Sequence, residues 1–376
     1  MPVTIQGHTS NKASQKAGSP DPALFTSAIV GADGKKIWRS IPQPDKITFA
    51  TVLTEEHFGG ESKTPIYDKA VIKGFAEGLA GAVNALAGNA VYVPPDQIPK
   101  VFKIPFGPRE AEALIELKSK NVKDHPAPFW TLRIEFNPRK LKPDGHAQLL
   151  ETMAYASPGP INVGAILRDA RLSRLDVAVD LFNVRPEALL VTTAATGKRW
   201  EIFGPDGRLE AVYFYRSKKK PTAPLKALRK PFGALIVRVY DRNRERAAWG
   251  KPPPYPGGFV TRLEASVTRF GKPTYLPDLL ALPYPFKQAK VSLTADVLAK
   301  VDSGWLRYWS ARQTFGPDVS IAATGLSLSA HKALEKAIKN NPSTLLSSDA
   351  VWPEWHAGLK SCGLDKLIDA AMNCKG

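Results

Sequence analysis

The chain has 376 residues, and its 52 Lys and Arg against 35 Asp and Glu give a formal net charge of +17. Such an excess favours a polyanionic partner, because each Lys or Arg that neutralises a phosphate releases condensed counterions. No run approaches the ~20 apolar residues that span a bilayer, and the cysteines, Cys362 and Cys374, are too few for a disulfide framework or a cysteine-ligated zinc site. Composition therefore argues against a membrane protein and favours a cytoplasmic location.

The first predicted elements build one half of a core. Residues 1–44 are polar and rich in Gly and Pro, which predicts a disordered or loosely attached N-terminal segment. Residues 45–165 follow as the N-terminal half of the core. Periodicity there predicts strands at 47–53, 91–93, 101–106 and 130–136, and helices at 69–88, 108–119 and 144–155.

Residues 166–274 form the second predicted half, which carries the candidate catalytic residues. Its predicted strands are 172–182, 211–216, 235–241 and 259–268. A helical pattern occupies 275–376, with candidate helices at 293–301, 304–312, 329–340 and 355–372. Strands and helices that mix without strict alternation predict an α+β fold, in which an antiparallel sheet with packed helices precedes a helical C-terminal region.

Four of the predicted strands repeat one pattern: an arginine, one apolar residue, then an acid or a tyrosine. They are Arg133-Ile134-Glu135, Arg174-Leu175-Asp176, Arg238-Val239-Tyr240 and Arg262-Leu263-Glu264. Because side chains alternate faces along a strand, each arginine and its partner share one face, and Asp180 continues that face of the second strand. A single triplet is more typical of a solvated strand face with cross-strand ion pairs, but four triplets predict one face rich in carboxylates and arginines.

Such a face has the residue types that phosphoryl transfer requires. Clustered carboxylates repel one another unless a cation or arginines neutralise them, and an all-oxygen cluster suits Mg²⁺ or Mn²⁺. A divalent ion and arginines stabilise the charge that develops on a transferring phosphate. A tyrosine on the same face, Tyr240, is then the candidate nucleophile.

Positive charge is concentrated around that tyrosine. Residues 216–251 hold 12 Lys and Arg but only two acids. Charge runs are usually solvated loops, but this one flanks the candidate nucleophile on both sides, where a DNA backbone would lie. The candidate DNA-binding residues are Arg174, Arg216, Lys218, Lys219, Lys220, Arg229, Lys230, Arg242, Arg244 and Arg262.

The ordered blocks TLRIEFNPRKL (131–141), LSRLDVAVD (172–180), VRVYDRNRER (237–246) and TRLEA (261–265) resemble the Rep_trans family. This family comprises replication initiators of rolling-circle plasmids, with initiators of filamentous phages and conjugative elements. The resemblance covers roughly residues 129–270. It departs from the family at Tyr215, where a glycine is usual, and at 218–232, which resembles a basic insertion.

The resemblance implies roles for individual residues. Tyr240 would be the nucleophile with Arg238 beside it, and Asp176 and Glu264 would bind the divalent ion, together with Glu135 and Asp180. Tyr213 and Tyr215 are rival nucleophiles. The resemblance also implies a homodimer that acts at a hairpin origin and loads a host helicase.

The resulting functional hypothesis is a rolling-circle initiator that nicks one strand of an origin. Tyr240, held deprotonated or nearly so by the metal and Arg238, would form a 5′-phosphotyrosyl link and leave a 3′-OH primer. Three alternatives stay open. They are a conjugative relaxase or phage initiator with the same chemistry, a non-catalytic DNA-binding replication or partition protein, and a metal-dependent nuclease that uses water.

Overall fold

The structure of the protein is a computed structural model. It describes residues 25–30, 36–87, 98, 101–105, 112–121, 123, 125–156, 159–193, 198–203, 209–215, 235–253, 258–268, 270, 272–293, 329, 333, 336, 340 and 345–374. These residues form an α+β fold in which helices pack on an antiparallel sheet, as the mixed pattern predicts.

The strands of the described part are β1 Phe25–Val30, β2 Lys36–Ser40, β3 Gln43–Val52, β4 Val101–Pro105, β5 Glu112–Lys120, β6 Phe129–Phe136, β7 Arg171–Phe182, β8 Leu189–Thr193, β9 Lys198–Phe203, β10 Leu209–Tyr215, β11 Leu235–Asp241, β12 Val260–Val267 and β13 Ala289–Leu293. The helices are α1 Lys69–Ala87, α2 Pro138–Ala154, α3 Val163–Arg168, α4 Arg242–Ala247, α5 Ser348–Val351, α6 Trp355–Cys362 and α7 Leu364–Met372.

The main sheet runs in the order β4-β5-β6-β3-β7-β12-β11-β10-β9, with every neighbouring pair antiparallel. Strand β2 pairs with the end of β7 and with β1, while β8 and β13 form a separate ribbon. The four strands that carry the repeated pattern are β6, β7, β11 and β12. They lie in one sheet, which confirms the prediction, although β3 separates β6 from β7.

One face of the sheet is apolar and supports a helical layer. Leu175, Val177 and Val179 alternate along β7 and are fully buried in a core shared with α1, α2, α6 and α7. Gly363 separates α6 from α7 with a φ of 80°, and a Cβ there would meet the Pro143 backbone at 2.7 Å. Glycine is thus required both by the left-handed turn and by the close approach of α2.

The structure corrects two of the predicted elements. The predicted helix at 108–119 is wrong, because Glu112–Lys120 is strand β5 with Ala113, Ile115 and Leu117 fully buried at alternate positions. Residues 36–40 of the predicted N-terminal segment belong to the sheet, because they form β2, which pairs with β7 and buries Ile37. The predicted elements 91–93, 293–301 and 304–312 lie outside the described residues, as do residues 1–24 and most of 329–340.

Other elements agree closely with their predicted bounds. Helix α1 begins at Lys69, as predicted, and ends one residue before the predicted bound. It buries Ile72, Phe75, Leu79 and Val83, the spacing of one helical face. Within the described part of the chain, no helix combines the length and the apolar character needed to cross a bilayer.

Candidate active site

The strand register places the predicted residues in two adjacent rows across β11, β12 and β7. Tyr240 lies opposite Arg262, which lies opposite Asp180. In the next row Arg238 lies opposite Glu264. Directly opposed residues of antiparallel strands share a face. The tyrosine, both arginines and both carboxylates therefore lie on one face, as the alternation predicts.

A helix cap fixes the position of Tyr240 at the end of β11. Asp241 follows it and caps α4, accepting hydrogen bonds from the backbone N–H groups of Asn243 at 2.9 Å and Arg244 at 3.1 Å. The Asn243 side chain donates to the Gly258 carbonyl oxygen at 2.8 Å, just before β12. The chain thus turns immediately after Tyr240, and α4 is tied to the strand beside it.

Tyr240 is only 4% exposed and contacts two charged neighbours. Its O–H donates to Glu264 Oε2 at 3.3 Å, and the Arg238 guanidinium lies 5.0 Å from its ring centroid. Burial raises the pKa of Tyr240 above its ordinary value, whereas Arg238 acts in the opposite direction with a smaller effect. Burial thus favours the protonated phenol, and Arg238 favours its deprotonation.

Glu264 is the most unusual carboxylate of the site. It is fully buried, and its Oε2 accepts from both Arg238 and Tyr240. Its other oxygen, Oε1, is buried and has no hydrogen-bond partner among the described residues. Burial raises the pKa of Glu264 to about 7. The negative charges of Asp45 and Asp176 also raise this pKa, whereas the positive charge of Arg238 lowers it. A carboxylate with this pKa and a free oxygen is suited to accept a proton or to bind a cation.

Asp176 lies diagonally across from Glu264, because its direct partner on β12 is Ser266. Arg174 binds both of its oxygens with Nε at 2.9 and 3.1 Å, and Ser266 Oγ donates to Oδ1 at 2.5 Å. The two predicted metal ligands are thus neighbours on one face. Within the described ranges, no group of three or more His, Cys, Asp or Glu side chains is placed to hold a metal ion.

Asp180 and Arg262 form a closed ion pair instead of facing the site. Arg262 donates to Asp180 through Nε at 2.6 Å and Nη2 at 2.8 Å, and to Asp45 through Nη1 at 2.8 Å. Burial alone would raise the pKa of Asp180, but Arg262 and Arg139 hold it well below its ordinary range. These contacts occupy both carboxylate oxygens of Asp180 and three nitrogens of Arg262, an arrangement typical of a structural ion pair.

Glu135 also lies away from the tyrosine, because β3 separates β6 from β7. It accepts from Arg133 at 2.5 Å and Thr48 at 3.2 Å and pairs with Lys46. Burial alone would raise the pKa of Glu135, but Lys46 and Arg133 lower it below its ordinary value. The structure does not bring Glu135 into contact with the Glu264 carboxylate.

Two of the predicted DNA-binding arginines lie on α4, next to Tyr240. Arg242 pairs with Glu245 at 2.5 Å, and Arg244 pairs with Glu210 at 3.1 Å. The Nε atoms of Arg242 and of Arg238 are buried and have no hydrogen-bond partner in the described part of the chain. Both arginines also act electrostatically on the phenol, because their charges oppose the rise that burial causes in the Tyr240 pKa.

The remaining predicted residues lie outside what the structure describes. This applies to Arg216, Lys218, Lys219, Lys220, Arg229 and Lys230, and to the whole 218–232 insertion. Tyr213 lies opposite Arg238, and Tyr215 opposite Leu235, in the backbone register of β10 and β11. The side chains of these rival tyrosines are not described.

Sequence reasoning missed three residues of this face: Asp45, Arg139 and Ser266. Ser266 lies two residues after Glu264 on β12, so the alternation that identified Glu264 also indicates Ser266. Asp45 of β3 contacts Arg262, and Arg139 of α2 contacts Asp180. No local sequence pattern predicts these two contacts.

Comparison with protein-family models and with curated proteins gives no match for the chain. The resemblance to rolling-circle initiators therefore stays a prediction, carried by the four strand motifs and the site that they build.

Proposed function

We propose that the protein is a replication initiator that nicks one strand of an origin, with Tyr240 as the nucleophile. One observation carries the proposal: the Tyr240 O–H contacts a buried carboxylate with a free oxygen, between two arginines with unpaired Nε–H donors. A nucleophile, a base and donors for developing charge are the parts that phosphoryl transfer to an enzyme hydroxyl requires.

The contacts suggest a path for the proton. Glu264 Oε2 takes the proton of the Tyr240 hydroxyl as the phenolic oxygen attacks the phosphorus. A bond then joins the tyrosine oxygen to phosphorus, the bond from phosphorus to the 3′ oxygen breaks, and the 3′ oxygen takes a proton from water. The Nε–H groups of Arg238 and Arg242 would stabilise the charge on the phosphate oxygens. The 5′-phosphotyrosyl link would keep the phosphodiester bond energy for rejoining.

A divalent cation fits the same carboxylates. Glu264 and Asp176 would hold the cation, because Oε1 of Glu264 is unpaired. The negative charges of Asp45 and Asp176 also make the electrostatic potential at Glu264 more negative. Mg²⁺ commonly binds one or two carboxylates, with the other positions left to water and phosphate oxygens. When bound, Mg²⁺ or Mn²⁺ would polarise the scissile phosphate.

The partners we propose follow from the same resemblance. They are origin DNA in a hairpin or single-stranded form, a host helicase and a second copy of the chain, in the cytoplasm. A conjugative relaxase or a phage initiator would use the same site for another biological task.

A second candidate function has one observation in its favour. Tyr240 is nearly inaccessible, as expected of a structural tyrosine in a non-catalytic DNA-binding replication protein. Under our proposal, DNA binding must displace α4 or Arg238 so that a phosphate reaches the phenol. The two functions therefore differ in whether a covalent adduct forms.

The test is a denaturing gel of the protein incubated with supercoiled origin plasmid and Mn²⁺. We expect nicked plasmid and a protein–DNA adduct, and we expect a chelator to abolish both. Tyr240→Phe keeps the ring and its packing but lacks the nucleophilic oxygen, so it should bind DNA and form no adduct. Tyr155→Phe is the matched control, because Tyr155 is 80% exposed, and it should behave as the wild type.

Each contrary result identifies a rival. Nicking by Tyr240→Phe without an adduct would favour the nuclease that uses water. An adduct in Tyr240→Phe that disappears in Tyr213→Phe or Tyr215→Phe would move the nucleophile to β10. DNA binding with neither nicking nor adduct in the wild type would favour the non-catalytic protein.

A further inference from the structure

A groove of about 970 Å³ lies where β3 ends and β7 begins, away from Tyr240. Its lining includes Lys120, Arg168, Asp169, Arg171, Phe270 and Tyr275. None of these residues belongs to the proposed nicking site or to the basic run at 216–251.

The groove carries positive charge that is available to a ligand. Lys120 and Arg171 are exposed, and neither has an ion pair with another described residue. Arg168, by contrast, is neutralised, because it donates to Asp169 at 2.9 Å and to Glu56 at 2.9 Å. The hydroxyl of Thr268 also lines the groove, whereas those of Thr51, Thr131 and Ser173 already donate to backbone carbonyl oxygens. Cationic and hydroxyl side chains are the usual donors to phosphate and sugar oxygens.

An aromatic side chain lies at the edge of this charge. Tyr275 is 41% exposed, and its backbone bridges to that of Arg171, so the two residues are neighbours in the groove. Its backbone N–H donates to Asp278 at 2.8 Å, which fixes the start of the turn after it. An exposed ring on a fixed backbone beside free cations is the arrangement on which single-stranded bases stack.

Strand β7 connects the groove with the candidate active site, because its first residues line the groove. Thr48 lies opposite Arg174, and Ala50, two residues along β3, lies opposite Arg171. Arg171 therefore shares the face of Arg174 and Asp176. The five steps along β7 from Asp176 to Arg171 span roughly 16 Å at ~3.3 Å per residue. A DNA strand that leaves the candidate active site along β7 would reach the groove without crossing the sheet.

We propose that this groove binds single-stranded DNA that flanks the cleaved phosphate. The proposal rests on the proposed function for the identity of the nucleic acid, but its binding chemistry stands on the groove alone. Lys120, Arg171 and the Thr268 hydroxyl contact the sugar–phosphate backbone, and Tyr275 stacks on a base. Because these groups read no base edge, binding tolerates any sequence.

The test measures anisotropy of a labelled single strand of about 16 nucleotides, the upper end of such site sizes, with the full chain in chelator. Lys120→Gln with Arg171→Gln should weaken binding about tenfold or more, and should reduce the log–log salt slope by about 1.4, since each phosphate contact on a single strand contributes about 0.7. The matched control is Lys360→Gln with Lys366→Gln, two exposed lysines of α6 and α7, which should leave both unchanged.

Tyr275 supplies a second, independent measurement. Tyr275→Leu keeps an apolar side chain but removes the stacking surface, and should weaken binding at least about fivefold. Tyr275→Phe should bind as the wild type.

Three results would overturn the proposal: an unchanged salt slope in the double variant, equal losses in Tyr275→Leu and Tyr275→Phe, or tighter binding of the same sequence as RNA or duplex. Failure of the proposed nicking function is distinguishable from failure of the groove proposal, because it appears as a missing adduct in the wild type. Groove variants that lose single-strand binding while no adduct forms would refute the nickase and support the groove.

Discussion

Two arginine–carboxylate pairs lie in adjacent rows of the same strands, and they differ in how completely their atoms are satisfied. Arg262 and Asp180 share two hydrogen bonds, and Asp45 and Arg139 complete the group. Glu264 and Arg238 share one contact and leave Glu264 Oε1 and Arg238 Nε unpaired. A buried polar atom without a partner has a free-energy cost. The contrast indicates that the Arg262–Asp180 pair stabilises the sheet, whereas the Arg238–Glu264 pair has unpaired polar atoms that a ligand could bind.

Burial alone would raise the pKa of both carboxylates, but their charged neighbours move the two values in opposite directions. The pKa of Asp180 is held well below its ordinary value by Arg262, whereas burial raises the pKa of Glu264 to about 7. Perturbation of this second kind is more typical of functional carboxylates. One repeated sequence pattern has thus produced a structural pair and a candidate catalytic one.

The largest expected effect is on catalysis, at Glu264. Glu264→Gln keeps the shape and a hydrogen-bond acceptor but removes the base, so nicking should fall by about 10²–10⁴-fold, the usual contribution of a general base. The free energy of unfolding should change by no more than about 2 kcal/mol. Plasmid nicking rates and urea unfolding check the two parts, and unchanged nicking would contradict the role of Glu264.

The next largest effect is on stability, at the closed pair. Asp180→Ala leaves Arg262 buried with Asp45 as its remaining acid partner in the pair, and should lower the free energy of unfolding by about 3–5 kcal/mol. Urea denaturation followed by circular dichroism measures this loss. If Asp180→Ala costs no more stability than Glu264→Gln, the distinction between the two pairs fails.

The closed pair also predicts the response to acid. Because the folded-state pKa of Asp180 lies below the unfolded value of about 3.9, the pair stabilises the folded protein above roughly pH 4. That stability is lost as the pH falls from about 4 towards the folded-state pKa. The free energy of unfolding should therefore drop below pH 4, and less steeply in Asp180→Asn. The same slope in Asp180→Asn and in the exposed-site control Glu61→Gln would assign the acid response to other groups.

The smallest effect is expected at Glu135. Its side chain is 21% exposed, and Lys46 and Arg133, its partners, are 32% and 30% exposed. Ion pairs of this kind contribute about 0–1 kcal/mol, so Glu135→Gln should unfold within about 1 kcal/mol of the wild type and nick normally. A loss of nicking in this variant would place Glu135 in the active site despite β3.

The sequence alone predicts that these side chains share one face of the sheet, but it does not predict which carboxylate contacts which arginine. Alternation along β7, β11 and β12 is a local property, and it assigns Asp176, Glu264 and Tyr240 to one side. Which acid meets which arginine depends on strand register, and the insertion of β3 between β6 and β7 depends on the whole sheet. Local patterns contain neither, so the sequence does not distinguish Asp180 and Glu135 from Asp176 and Glu264.

The error at β5 has a similar physical origin. Glu112–Lys120 is rich in good helix formers, yet its Ala113, Ile115 and Leu117 alternate and are buried against neighbouring strands. Tertiary burial outweighs the helical propensity of Glu, Leu and Lys there. The alternation was visible in the sequence and was the more informative signal.

The most direct measurement identifies the residue that carries DNA. The adduct formed with origin plasmid and Mn²⁺ is digested with nuclease and trypsin and analysed by mass spectrometry. We expect a nucleotide remnant on Tyr240 in the peptide 239–242, which cleavage after Arg238 and Arg242 releases. A remnant on peptide 209–216, which carries Tyr213 and Tyr215, or a nicked plasmid with no linked peptide, would contradict Tyr240 as the nucleophile.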